Sequence, residues 1–176
     1  MVAIEYPWYM MVKGSSIEQG DIIRDCPVIK PNIEVLSGEN TKVTAEEYDV
    51  VVMSQSCDLQ QRKVELVLLC PIFSLDEIID YYGGNSKERR KRKEAIKKGQ
   101  IHHQHLLHKY EDDEVPIPIS VVDFSKIFSV PIEFLMQFAE DQGHRVRLLP
   151  PYREHLSQSF AKFFMRVGLP TPIKLE

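Results

Sequence analysis

The run Val50-Val51-Val52, inside residues 48–54, constrains this chain most. Three successive β-branched residues are stiff at χ1 and suit a pleated strand. Because neighbouring side chains on a strand point to opposite faces, an unbroken apolar run needs cover on both. A central strand is predicted. Residues 64–71 repeat the character in Val67-Leu68-Leu69-Cys70, after the polar interval Gln60-Gln61-Arg62-Lys63. That interval is too short for a parallel crossover, so the two strands are expected to pair antiparallel.

Gly20-Asp21-Ile22-Ile23 opens a strand running towards Pro27-Val28-Ile29, and Pro31-Asn32 signals the turn after it. Residues 33–36 and 41–44 flank Ser37-Gly38-Glu39-Asn40 and read as a hairpin. Residues 6–12 are aromatic and offer an edge strand. Residues 101–109 and 115–122 read as two strands around the acidic turn Glu111-Asp112-Asp113-Glu114, with Pro116 and Pro118 suited to an edge.

Ser74 and Glu77 form a capping box for a short helix through Tyr82. A basic helix from Asn85 or Ser86 to Gly99 has only Ala95 and Ile96 as apolar face and reads as solvated. Pro131 opens a third helix that stops at Gly143, with Ile132, Leu135, Met136 and Ala139 on one side. The last helix, residues 151–167, carries the stripe Tyr152, Leu156, Phe160, Phe164 and Val167, widened by Phe163. Strands first, with helices inserted and then appended, predict one α+β domain over residues 1–176. Its sheet core falls at about 15–75 and 100–125, with helices at 75–99 and 129–168.

A chain of 176 residues, 43% hydrophobic and 27% charged, is ordinary for one globular core. Its apolar runs are far shorter than a bilayer span needs, and residues 1–11 lack the basic start and apolar stretch of an export signal. A cytoplasmic protein with no membrane contact is expected, and Cys26, Cys57 and Cys70 read as free thiols. The net charge of −4 conceals an asymmetry. Residues 86–99 hold eight Lys/Arg against two Glu, a local +6 that leaves −10 elsewhere.

The passage from Gly20-Asp21-Ile22, through Val50-Val51-Val52-Met53-Ser54, to Leu69-Cys70-Pro71-Ile72 resembles the MazF/PemK toxin family. The resemblance implies a small SH3-like antiparallel barrel, a homodimer, and a bacterial toxin-antitoxin or defence setting. The family's catalytic Arg precedes the central strand in an Arg-Pro pair, where this chain has Tyr48 and Asp49. The family's catalytic Thr follows the next strand, where this chain has Ile72-Phe73-Ser74, with Ser74 already read as a helix cap. Phosphate cleavage needs a cation placed for the developing charge, and Arg24 is the substitute offered.

Three sets of residues are candidate sites. Ser54-Gln55-Ser56-Cys57-Asp58 follows directly on the buried strand, at the sort of strand end that carries function. A Cys57 nucleophile needs a nearby cation or His, and Asp58 opposes its thiolate. The plainer alternative is a turn in which Ser56 and Asp58 bond backbone and Cys57 packs inward. Asp25 joins Gln55 and Asp58 as a binding-loop candidate. The basic helix offers Lys87, Arg89, Arg90, Lys91, Arg92, Lys93, Lys97 and Lys98 to phosphates, without aromatics for base stacking. On the last helix Arg153, Glu154, His155 and Arg166 form a partner surface, with Arg153 and Glu154 not expected to face one another.

His102, His103, His105 and His108 raise a zinc question, but same-face pairs on a strand do not complete a tetrahedral site, so neither metal nor cofactor is expected. The leading expectation is a non-catalytic regulatory or binding protein that engages a protein, RNA or DNA partner. Its rivals are an endoribonuclease using Arg24 with Ser54 or Ser56, and a Cys57-dependent enzyme with His144 or His155 as base.

Overall fold

The computed structural model describes residues 6–30 and 44–165. In chain order the strands are β1 (Tyr9–Val12), β2 (Asp21–Lys30), β3 (Thr44–Val52), β4 (Leu66–Ser74), β5 (Gln104–Leu107), β6 (Ser120–Asp123), β7 (Phe128–Pro131) and β8 (Arg145–Leu148). The helices are α1 (Ser56–Gln60), α2 (Leu75–Tyr82), α3 (Ser86–Lys97), α4 (Ile132–Gln142) and α5 (Tyr152–Phe164).

The strands follow the order β1-β8-β2-β3-β4-β6-β5, with β7 also on β4, and every described pairing is antiparallel. Val50, Val51 and Val52 occupy the expected central strand, with Val51 opposite Ile22 on one side and Cys70 on the other. Both faces are covered. Val51 enters a core with Tyr9, Ile22, Cys70, Leu107, Val122 and Val146, to which every strand of the path contributes. Val50 and Val52 enter a second core closed by Leu135 and Ala139 of α4. A third joins Ile78 and Ile79 of α2 to Ile96 of α3 and Val121 of β6.

The α+β class is therefore observed, but the sheet does not close into a barrel. No pairing among the described residues joins β1 to β5, the two ends of the path. Side chains bridge them instead: Tyr9 Oη donates to the His108 carbonyl at 2.6 Å, and the Tyr9 ring meets Tyr110 edge-on.

Several local expectations change. The hairpin read at 33–36 and 41–44 lies outside the described residues apart from Thr44, which begins β3. The pentapeptide enters the short helix α1 rather than a bare turn. Helix α3 is not wholly solvated, since Ile96 is buried against α2. In α5 the inward stripe passes through Leu156, Phe160 and Phe163, and Phe164 is 51% exposed. A straight helix rotates the apolar face in this way because 3.6 residues per turn favours 160 to 163 as much as 160 to 164. Val167 and Arg166 lie outside the described residues.

Candidate functional site

The pentapeptide is held by backbone donors. Ser54 Oγ accepts from the Leu68 amide at 2.9 Å, prolonging the β3–β4 ladder beyond Val52, and Ser56 Oγ accepts from the Gln19 amide at 3.1 Å. Gln19 in turn donates to the Met53 carbonyl at 2.8 Å. Ser54 thus fastens the end of β3 to β4, and Ser56 with Gln19 fastens the approach to β2 to the segment that follows β3. Gln55 is exposed and lies 3.4 Å from Ser157 Oγ of α5. Cys57 does not pack inward as the turn reading expected: Leu59 takes the buried position in α1, which turns Cys57 outward. Its Sγ lies 3.7 Å from Asp58 Oδ1. The proposed base His144 is engaged elsewhere, 2.9 Å from Glu114. Burial pushes the other two thiols up, Cys26 to about 11 and Cys70 to about 12, the latter also under the influence of Asp123.

Arg24 and Asp25 form a β-bulge. The register runs from Ile23↔Val50 to Cys26↔Tyr48, so β2 carries one extra residue, and Asp25 takes φ +47° to absorb it. The Asp25 amide donates to Asp49 Oδ1 at 3.0 Å, and the Arg24 guanidinium donates to the Pro116 carbonyl. Burial is the main cause raising the Asp49 pKa. Arg24 lines two clefts, and neither contains Ser54 or Ser56. The first, about 350 Å³, also holds Asp25, Glu47, Asp49 and Glu77. Ser54 and Ser56 are instead engaged with the Leu68 and Gln19 amides, away from these two clefts.

A buried ionic cluster went unread in the sequence. Asp21 is 0% and Arg145 1% exposed, and Arg145 Nε donates to Asp21 Oδ2 at 2.9 Å. Arg145 also donates to the Gly14 and Ser16 carbonyls, the former at 2.7 Å. Arg147 binds Asp21 from β8 and Glu18 Oε1 at 2.6 Å. Burial works against the Arg147 cation, and the Asp21 and Glu18 carboxylates outweigh it, holding its pKa above the usual value. The cluster fastens residues 14–18 across β2 and β8. On α5, Arg153 does face Glu154, at 3.0 Å, because a long guanidinium side chain can fold along its own helix to reach a sequence neighbour. Arg153 also lies 4.0 Å from Glu18.

The basic residues of α3 divide between two faces. Asn85 caps the helix, accepting from the Lys87 and Glu88 amides while Glu88 accepts from the Asn85 amide. At helical spacing Arg89, Arg92, Lys93 and Ile96 share the side towards α2. There Arg89 pairs with Asp80, Lys93 with Asp76 at 2.8 Å, and Arg92 lies 3.2 Å from the Tyr82 ring centroid. Lys87, Arg90, Lys91, Lys97 and Lys98 occupy the outward side, exposed, and make no ion pair among the described residues. At 1.5 Å per residue this side extends for about 16 Å. It runs into a cleft of about 440 Å³ between the end of α3, β5 and α5, where Lys97 and Lys98 face His155 and Lys162.

Among the described residues no three His, Cys, Asp or Glu side chains group as metal ligands, and no helix is long and apolar enough to cross a membrane. No protein-family model, curated protein or solved structure matches the chain.

Proposed function

We propose that this is a non-catalytic binding protein that holds a nucleic-acid strand by its phosphates along the outward side of α3. The observation that carries this is the division of the helix: three cations are engaged with α2, while five exposed ones share the opposite side without a partner among the described residues. Cations so placed neutralise successive phosphates and release counterions, a contact that carries affinity and little sequence preference. The acidic remainder of the molecule orients an approaching polyanion onto this side. The MazF/PemK resemblance enters only as a proposal about the curl of the sheet and its toxin-antitoxin or defence setting. Its cleavage chemistry does not, because Asp25, Glu47, Asp49 and Glu77 around Arg24 repel a scissile phosphate.

Fluorescence anisotropy with a labelled single-stranded RNA tests the proposal across a salt series. Binding is expected with a log–log salt slope that falls by ~0.7 for each phosphate contact removed. Replacing Arg90→Glu with Lys91→Glu should weaken binding at least tenfold. An unchanged affinity in that double variant overturns the proposal, and cleavage of the RNA by purified protein overturns its non-catalytic part.

A further inference from the structure

Gln104 opens β5, is 4% exposed, and has neither a donor nor an acceptor for its side-chain amide: both Oε1 and Nε2 are buried without a partner among the described residues. Buried polar groups are nearly always matched, so a Gln with both ends unmatched calls for something that the chain itself does not provide. Gln104 lines the cleft between α3 and α5. The rest of the lining explains what fits. Lys97 and Lys98 come from the end of α3, Lys162 and His155 from α5, and His102 from the approach to β5, with no carboxylate among them. Ile101 and Leu106 supply an apolar wall. At about 440 Å³ the cleft is within the size range of small-ligand pockets.

A ligand that matches all of this carries a phosphate, a flat ring, and an edge presenting a donor beside an acceptor. We propose that the cleft is a nucleotide site, in which the Gln104 amide pairs with the base edge while Lys97, Lys98 and Lys162 hold the phosphate. A primary amide is suited to bidentate pairing with a base, adenine above all. The site rests on the proposed nucleic-acid binding in one respect: it supplies a place for an unpaired base beside the phosphate-binding side of α3.

Calorimetric titration with AMP, ribose 5-phosphate and inorganic phosphate tests the site on the whole chain. AMP is expected to bind at least tenfold more tightly than ribose 5-phosphate. Gln104→Leu should abolish that difference while leaving phosphate affinity within twofold, and should raise the melting temperature, since it removes an unmatched amide. Lys162→Ala, on the surface of α5, should weaken AMP and phosphate alike. If AMP binds no better than ribose 5-phosphate, or if Gln104→Leu binds AMP as the parent does, the site is overturned. The two proposals fail separately. RNA binding without AMP binding removes the pocket and leaves the α3 surface, whereas AMP binding without RNA binding keeps the pocket for free nucleotides and removes the strand-binding role.

Discussion

Asp21 illustrates how a charged residue can be structural when its partners are buried with it. Two guanidinium groups compensate one carboxylate that has no solvent, so deleting the carboxylate leaves Arg145 charged and enclosed. Asp21→Ala is expected to cost ~3–5 kcal/mol in urea unfolding, the range for breaking a buried pair by one member. Glu18→Gln, at the partly exposed end of the same cluster, should cost ~1 kcal/mol or less. Equal losses would show that burial does not govern the cluster. His105 makes a second residue-scale case. Burial, assisted by the charge of His155, lowers its pKa from 6.5 to about 4. Lys97, Lys98, Lys162 and His102 line the same cleft. Between these values the unfolded chain binds a proton that the folded chain refuses, so the His105 contribution is present above pH 6.5 and is lost as pH falls towards 4. The loss is at most ~3 kcal/mol, and His105→Leu should flatten that part of the stability–pH profile.

At the scale of elements, α3 depends on its cap as much as on its packing, because only Ile96 is buried along it. Asn85→Ala should cost ~1 kcal/mol and speed amide exchange through the first turn, with α4 unaffected. Capping of this kind is legible in a sequence, since Ser74 with Glu77 and Asn85 with Glu88 satisfy amides three residues away. The Val50-Val51-Val52 strand is legible for a similar reason: an unbroken apolar run leaves few alternatives. What escapes is decided by distant partners. Strand β8 alternates Arg145-Val146-Arg147-Leu148, yet Arg145 is interior because Asp21 meets it from 124 positions away. Cys57 turns outward because Leu59 claims the core, and the unmatched amide of Gln104 shows itself only once α3, β5 and α5 surround it. Arg24 sits at the bulge of β2 while the Ser54-Ser56 pair follows the end of β3, a placement that no spacing along the chain encodes.

Across the whole molecule, charge and topology act on different stages of its life. The +6 of residues 86–99 against −10 elsewhere concentrates positive charge on one helix, and that governs what approaches it after folding. Topology governs the earlier stage. Strand β8 sits between β1 and β2, pairing Tyr9 with Leu148 and Ile22 with Val146, so the first strand finds its neighbour only near the end of the chain. During synthesis at about 5–20 residues per second, β1 and the free side of β2 wait roughly 6–28 s for that neighbour. Throughout that interval the nascent chain presents an unmatched strand border to its surroundings, and the crowded exit of the ribosome, rather than the finished protein, is where it is most open to mispairing.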